Sequence, residues 1–464
     1  MRRIYVKARL IVLICTVCFS LTALAEAQGF RLPQRAIFHP QMIVPYKTIN
    51  QSIDFTDKKI DKPIMNGKTI FKQEVSYINS KFLNVVNLNL AIFMKSVRMQ
   101  GVSFAKNFDT SWALFHTPVS LYDVTFNKTM TFFNCVFANS VNFYHLIAKD
   151  LAIFQGTRFN DKTLFSHSRF LGGTYFYNAL FKEKVIFKDV EFLQEVDFSF
   201  ANFKQDVVFD TIKFFGKTKF ASAQFGGHVT FKKSSFSGYL DFSHVIHSKY
   251  IIDLTRVEHK DRNERIKLNL VGANIDKFNL HYSDFKLFFP KGVTYSEKIG
   301  VYKELLNNFQ KKNYVTSYNL LYPEYREFLY ASKDNWFANY MQKNWWNYGI
   351  NKEWVFVWIA WFLLFFTVIN SFFFESLVKN HCSVPFLEKT TYDFSIKKNP
   401  LIRYVYYFPR ALILTIILFF GGSIRLGVRI SNFKGNNLLV NIYLMIMLIT
   451  GFICMFFMFK YLIG

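Results

Sequence analysis

The stretch FSFANFKQDVVFDTIKFFGKTKF, residues 198–220, carries seven phenylalanines. Phe198, Phe203, Phe209, Phe214 and Phe220 are spaced 5, 6, 5 and 6. Phe154, Phe159, Phe165, Phe170, Phe176, Phe181, Phe187 and Phe192 lead into this beat, and Phe225, Phe231, Phe236 and Phe242 carry it on without a miss. Two interleaved series of period 11 lie underneath. One reaches back through Phe137, Phe126, Phe115, Phe104, Phe93, Phe82 and Phe71, broken only by Ala148. The other reaches back through Phe143, Phe132, Leu121, Met99, Leu88 and Tyr77, with Thr110 as its exception. Past residue 242 the spacing changes, and Leu270, Ile275, Leu280 and Phe285 stand five apart.

The residue two before each ring is restricted as well: Ala179, Val190, Ala201, Ile212 and Ala223 in one series, Thr174, Val185, Val196, Val207 and Thr218 in the other. Each unit therefore reads small or β-branched, polar, Phe. An α-helix of about 3.6 residues per turn would spread rings 5 or 6 apart around its whole circumference. A plain strand alternates with a period of about 2. A coil that turns a corner every five or six residues fits, with one Phe and one smaller residue pointing inward on each side. Stacked coils then place like residues in ladders, and stacked aromatic rings add to the energy of their burial.

These units resemble the pentapeptide-repeat family, in a Phe-rich form with alternating five- and six-residue units; ANF at 201–203 and ANI at 273–275 show the resemblance best. The resemblance spans roughly residues 71–288 and implies an all-β, right-handed, four-sided β-helix with two five-residue and two six-residue units in each turn. Residues 71–242 then make about eight turns and a rod about 40 Å long at the ~4.8 Å spacing of stacked strands. Each buried Phe stabilises by roughly 1.5–3 kcal/mol.

The flanks read differently. MRRIYVKARLIVLICTVCFSLTALA, residues 1–25, puts Arg2, Arg3, Lys7 and Arg9 ahead of an apolar run and Ala23-Leu24-Ala25, the order of a secretory signal or of a short uncleaved anchor. Either version exports the repeats. Residues 26–70, with Pro33, Pro40 and Pro45, are expected to cap the first end of a 71–290 β-helix, because open solenoid ends need covers. The polar run HKDRNERIK at 259–267 reads as a protruding loop. Residues 296–350 read as an amphipathic helical linker, with Val301, Leu305, Leu306 and Phe309 on one face and a break or a kink at Pro323.

Residues 351–464 read as a transmembrane domain with apolar segments at 354–374, 404–422 and 438–459. Six of the seven Trp fall between Trp336 and Trp361, which fits an aromatic belt at a bilayer surface. The uncharged part of the middle segment, Ala411 to Gly422, is short, so it is either a full span or a re-entrant helix. The re-entrant version resembles a channel pore loop, with Gly421 and Gly422 at the filter. No Thr-x-Gly-Tyr-Gly is present, and Arg425 opposes cations there. Three spans is the simpler account, with loop 375–403 cytoplasmic and loop 423–437 outside.

No catalytic motif emerges. His244 and His247 lie three apart, with His228 and His259 nearby, but no carboxylate or Cys joins them at ligand spacing, so no metal site is expected. Cys135, Cys382 and Cys454 form no metal or disulfide pattern. There is no nucleophile elbow and no phosphate loop. Soluble relatives in the resembled family mimic DNA with acidic rods; residues 71–245 hold 19 Lys and Arg against 13 Asp and Glu, so that role and nucleic-acid binding outside the cytoplasm are both disfavoured. The net charge of +25 instead fits an anionic membrane face. The sequence thus predicts a scaffold that is not an enzyme and needs no cofactor. It sits in a bacterial inner membrane with its repeats in the periplasm, and its partners are the lipid bilayer, an unidentified protein and, compatibly, further copies of itself. An ion-channel or transport component with a degenerate pore loop near 411–430 is the alternative.

Overall fold

A computed structural model describes residues 46–258, 264–331, 335–380, 382–383, 400–421, 429–430 and 438–463. The predicted signal at 1–25, the first part of the predicted cap and the centre of the polar run, 259–263, lie outside the described residues.

The expected four-sided coil is what forms. Four parallel sheets of nine, eleven, nine and eleven strands make its faces, beginning at Lys47–Ile49, Ile53–Asp54, Lys59–Ile60 and Ile64–Met65. Each turn sets like on like: Phe71 lies beside Phe93, Phe104 beside Phe126 and Phe187 beside Phe209. The coils begin at Lys47, earlier than the Phe beat, with Ile49, Ile53, Phe55, Ile60 and Ile64 packed against the core as its first layer. After Phe242 the turns become unequal. Tyr239 pairs with Lys267, a longer step than in the regular turns, and Ile266 pairs with Phe285, a shorter one. The lengthened turn is the one whose sequence contains the polar run 259–267.

Each series of period 11 splits between two faces, giving four ladders of period 22. Phe71, Phe93, Phe115, Phe137, Phe159 and Phe181 form one, with ring centroids 4.7 to 5.3 Å apart and planes within 8° of parallel. Phe132, Phe154, Phe176, Phe198, Phe220 and Phe242 form another, at 4.7 to 5.5 Å. Between ladders the rings meet edge to face, as Phe176 does with Phe187 at 5.8 Å and 83°. The smaller residue two before each ring is also buried, for example Val185, Val196, Ala201 and Val207.

The alternation of five and six has a backbone cause. Across the regular turns, each five-residue corner holds a residue with positive φ two after its ring: His167, Asn178, Asp189, Phe200, Thr211, Ser222 and Lys233 recur with period 11 and φ between 50° and 61°. A left-handed residue reverses the chain in fewer residues. The six-residue corners of these turns have none among the described residues. The position costs a non-Gly residue about 1–2 kcal/mol, which the packing around it must outweigh.

The two breaks in the beat conserve volume. Where Thr110 replaces a ring, the residue two before it is Phe108, fully buried and 4.6 Å from the ring of Phe104. Where Ala148 replaces a ring, the residue two before it is Leu146, also fully buried. In both turns the large and small inward positions have exchanged places.

Helices α1 (Tyr295–Lys311) and α2 (Val315–Ala331) close the last coil. Val301, Leu305, Leu306, Phe309 and Leu321 join the same core as the rings. Asn308 Nδ2 donates to the carbonyls of Ile275 and Phe278 at 2.5 and 3.1 Å, and Lys312 Nζ donates to the Phe278 carbonyl at 2.7 Å. The end of the solenoid thus finds partners for carbonyls that no further strand satisfies. α2 continues through Pro323, so of the expected break or kink the break does not occur. α3 (Trp336–Trp346) follows, and Asn347, Tyr348 and Gly349, with φ of 50°, 56° and 92°, turn the chain into α4 (Trp354–Phe372).

α4, α5 (Phe374–Asn380), α6 (Pro400–Gly421) and α7 (Leu438–Ile463) build a bundle. Two of its helices, α4 and α7, are long and apolar enough to cross a membrane. α6 is antiparallel to α4: Phe366 meets Phe419, Asn370 meets Thr415 and Phe374 meets Tyr407. α7 is antiparallel to α4 as well, since Asn370 meets Tyr443 and Phe356 meets Tyr461. α6 and α7 are therefore parallel. α6 enters at the level of α4's last residues and ends beside Phe366, about 18 Å short of the level of α4's first residue, Trp354, at ~1.5 Å per residue, and beside Gly451 in the middle of α7. Cys382–Ser383 pairs antiparallel with Arg429–Ile430, which brings both connections to one end of the bundle. The expectation that loops 375–403 and 423–437 lie at opposite ends is corrected by these directions. An apolar segment of this length fits either path, and the contacts of α6 with both neighbours select one.

Ala148→Phe alone overpacks its turn beside Leu146 and is expected to cost about 1–3 kcal/mol, whereas Leu146→Val with Ala148→Phe reproduces the Val124–Phe126 pair of the preceding turn and should fall within about 1.5 kcal/mol of the parent. Denaturant midpoints of the three proteins read the difference.

Candidate interaction surfaces

The rod's interior is filled by rings, so its chemistry lies outside. On the second face a shallow groove of about 530 Å³ runs along the axis past Arg98, Ser120, Asn142, Leu164 and Ile186, with Lys162 and Lys184 on its rim. These floor residues occupy one outward position of successive turns and pair with one another across the sheet. The floor grades from polar to apolar toward the later turns. Asn142 Oδ1 has no hydrogen-bond partner among the described residues, although the atom is buried.

On the third face Glu191 sits between Arg169 and Lys213 of the turns before and after it, at 2.9 and 2.8 Å. The Lys213 ammonium, and secondarily Arg169, hold its carboxyl below the ordinary value against the opposing effect of burial. At one left-handed corner His145 Nδ1 lies 2.9 Å from Asp123 and His167 Nδ1 lies 3.5 Å from Asp189. The two imidazole rings are 5.7 Å apart. Among the described residues no three His, Cys, Asp or Glu side chains converge on a metal position.

The histidines between 228 and 247 lie apart from one another. His244 packs against Gly272, where a Cβ would meet its ring. His228 lies against the Tyr250 ring at 4.8 Å, and His247 lines a small surface pocket with Lys204 and Gln224. His259 lies outside the described residues. Burial pushes the Cys135 thiol up to about 12, and its Sγ donates to the Thr110 carbonyl at 2.8 Å. A thiol held protonated is a poor nucleophile. At the capped end, Glu324 accepts from the hydroxyls of Tyr282 and Tyr302 at 2.8 and 3.1 Å. Burial, then the Glu324 charge, raises both phenols, so they stay neutral donors within a closed network.

Gly421 is the last residue of α6, while Gly422 and Arg425 lie outside the described residues. Near the level where α6 ends, the bundle holds a polar centre. Asn370 Nδ2 donates to Thr415 Oγ1 at 2.8 Å, and the Tyr443 hydroxyl donates to Asn370 Oδ1 at 2.7 Å, so one amide ties three helices. Asn370 and Thr415 are fully buried. Sequence reasoning missed this centre and the left-handed corners. The corners had a signal, the column of His167, Asn178, Asp189 and their equivalents; the polar centre joins residues too far apart in the chain to leave one.

A family model described as pentapeptide repeats (nine copies) matches residues 154–202, in the most regular part of the rod. No curated protein and no solved structure matches the chain.

Glu191→Gln tests the charge ladder. The folded-state value is depressed, so the contribution is present above the ordinary carboxylate value and fades as pH falls through the folded one. The variant should be less stable than the parent by at most about 1 kcal/mol at neutral pH and converge with it in acid, as followed by denaturation at several pH values. In the bundle, Asn370→Leu leaves the Tyr443 hydroxyl without its acceptor and should cost about 1–2 kcal/mol, seen as earlier thermal loss of helix signal in detergent.

Proposed function

We propose that the chain is a non-enzymatic scaffold that presents its repeat rod from a bacterial inner membrane into the periplasm, where the outer faces dock a protein partner. The observation that carries this reading is the union of a rod filled by its own rings with a bundle whose outer surface is apolar. Phe356, Val357, Trp361 and Phe365 of α4 and Ile446, Ile449, Phe452 and Phe456 of α7 are exposed. Such a surface in water would be a large unfavourable patch, and in a bilayer it is ordinary.

The parallel α6 and α7 give the charge rule more to work on. Lys379 at the end of α5, Arg403 in the first turn of α6 and Arg429 lie toward one end of the bundle, and the sequence between these elements adds Lys389, Lys397, Lys398, Arg425 and Lys434. Lys343, Lys352 and Lys460 belong to the other. Positive residues favour the cytoplasm, so the rod falls outside, in agreement with the signal-like first 25 residues.

A second reading draws on one specific observation. α6 enters the bundle and stops part way along both neighbours, as a re-entrant helix does, and residues 411–430 then fit a pore-loop-like element of a channel or transport component. Its test is current through planar bilayers that changes with Arg425→Gln.

For the main reading, a periplasm-active reporter fused after residue 290 is expected to be active, and reporters inserted within 384–399 and within 431–437 are both expected to report cytoplasm. Opposite reports from the two insertions would restore three spans; a cytoplasmic rod would reopen the DNA-mimic role.

A further inference from the structure

α3 carries a stripe that faces the wrong way for a helix in water. Trp336, Phe337 and Tyr340 are 75 %, 58 % and 60 % exposed, and Phe337, Tyr340, Lys343 and Asn344 stand one, four, seven and eight positions along from Trp336, which is one face of a helix. The opposite face is already committed. The Trp345 ring stacks at 5.1 Å on Phe457 of α7, Trp346 meets the same ring edge-on at 5.0 Å, and Trp358 of α4 donates its indole N–H to the Asn344 carbonyl at 3.1 Å.

These contacts fix where the stripe lies. Phe457 is near the last turn of α7, and Trp358 is in the first turns of α4, so α3 sits at the end of the bundle where α4 begins and α7 ends. The left-handed turn at Asn347, Tyr348 and Gly349 prevents α3 from continuing the axis of α4. Cations mark the same level: Lys460 Nζ lies 4.9 Å over the Trp346 ring, and Lys343, paired with Glu327 of α2 at 2.9 Å, closes the stripe. Exposed Trp354 and Trp361 continue the aromatic surface onto α4.

We infer that the outer face of α3 rests in the lipid headgroup layer of the leaflet on the rod's side, as a collar that sets the height and tilt of the rod. Trp and Tyr favour that layer because their rings are apolar and their N–H and O–H groups still reach water, and cations there meet anionic headgroups. This inference rests on the membrane reading of α4 and α7.

The test uses the full chain reconstituted in vesicles of phosphatidylethanolamine and phosphatidylglycerol, with a nitroxide at one introduced cysteine: Phe337→Cys on α3, Leu364→Cys on the outward face of α4, or Tyr122→Cys on the rod. Collisions with oxygen, which concentrates in lipid, and with an aqueous nickel chelate give the depth. The expected result is loss of nickel contact with gain of oxygen contact at position 337, a stronger change of the same sense at 364, and none at 122. Nickel contact at 337 equal to that at 122, with 364 deep, overturns the collar and leaves the anchor. Loss of both collisions at 337 marks a protein partner on the stripe and also overturns it. A water-exposed 364 overturns the membrane reading, and the collar with it.

Discussion

Stacked parallel strands lie about 4.8 Å apart, and parallel aromatic rings stack best at close to the same distance. The rod depends on that coincidence. Rings of adjacent turns sit 4.5 to 5.5 Å apart while their backbones keep a parallel ladder, so neither demand strains the other. A slip of one residue would turn every ring outward, which holds the register fixed over the regular turns.

The same register governs the surface. Identical positions stack all the way along, so a repeated charge would face its own kind about 5 Å away. Three columns in the regular turns alternate instead: Arg169, Glu191 and Lys213 on one face, Lys188, Asp210 and Lys232 on the next, Asp197, Lys219 and Asp241 on another. Adjacent opposite charges are mildly favourable and like charges directly opposite are not. A rod built this way carries little net field on these faces, so a partner would read shape and local pattern, such as the groove past Asn142, rather than bulk charge.

Legibility in the sequence tracks what constrains a residue. The rings were legible, because only a large apolar side chain fills the axis and its phase cannot drift. Thr110 and Ala148 read as gaps in the beat, yet Phe108 and Leu146 supply the missing volume; packing conserves the pair, and a pattern of single positions does not show pairs. The left-handed corners are occupied by Asn, Asp and His but also by Phe200, Thr211 and Lys233, because a solvent-facing position can carry a modest backbone cost in many side chains. The direction of α6 was illegible in principle. Its short uncharged stretch allows a full or a partial crossing, and the choice is made by contacts such as Asn370 with Thr415 and Tyr443, which are remote in the chain.

The junction between rod and bundle decides whether rigidity on one side means anything on the other. Tyr348 is held at φ 56°, which costs a Tyr about 1–2 kcal/mol, and two contacts of its side chain, beside an ion pair between α3 and α2, offset the strain. Its hydroxyl donates to Asn339 of α3 at 2.5 Å, its ring stacks on Tyr330 of α2 at 6.1 Å, and Lys343 of α3 bridges to Glu327 of α2 at 2.9 Å. Burial, with the Glu327 charge behind it, pushes that hydroxyl up to about 12, so it stays a donor at any physiological pH. α2 is itself part of the core that seals the last coil. An unbroken series of packed contacts therefore runs from the ring ladders through α2, Tyr348 and α3 to the first turn of α4. A flexible tether would let the rod sample all directions and would need none of these contacts; their presence argues that the orientation of the rod is part of what the molecule supplies.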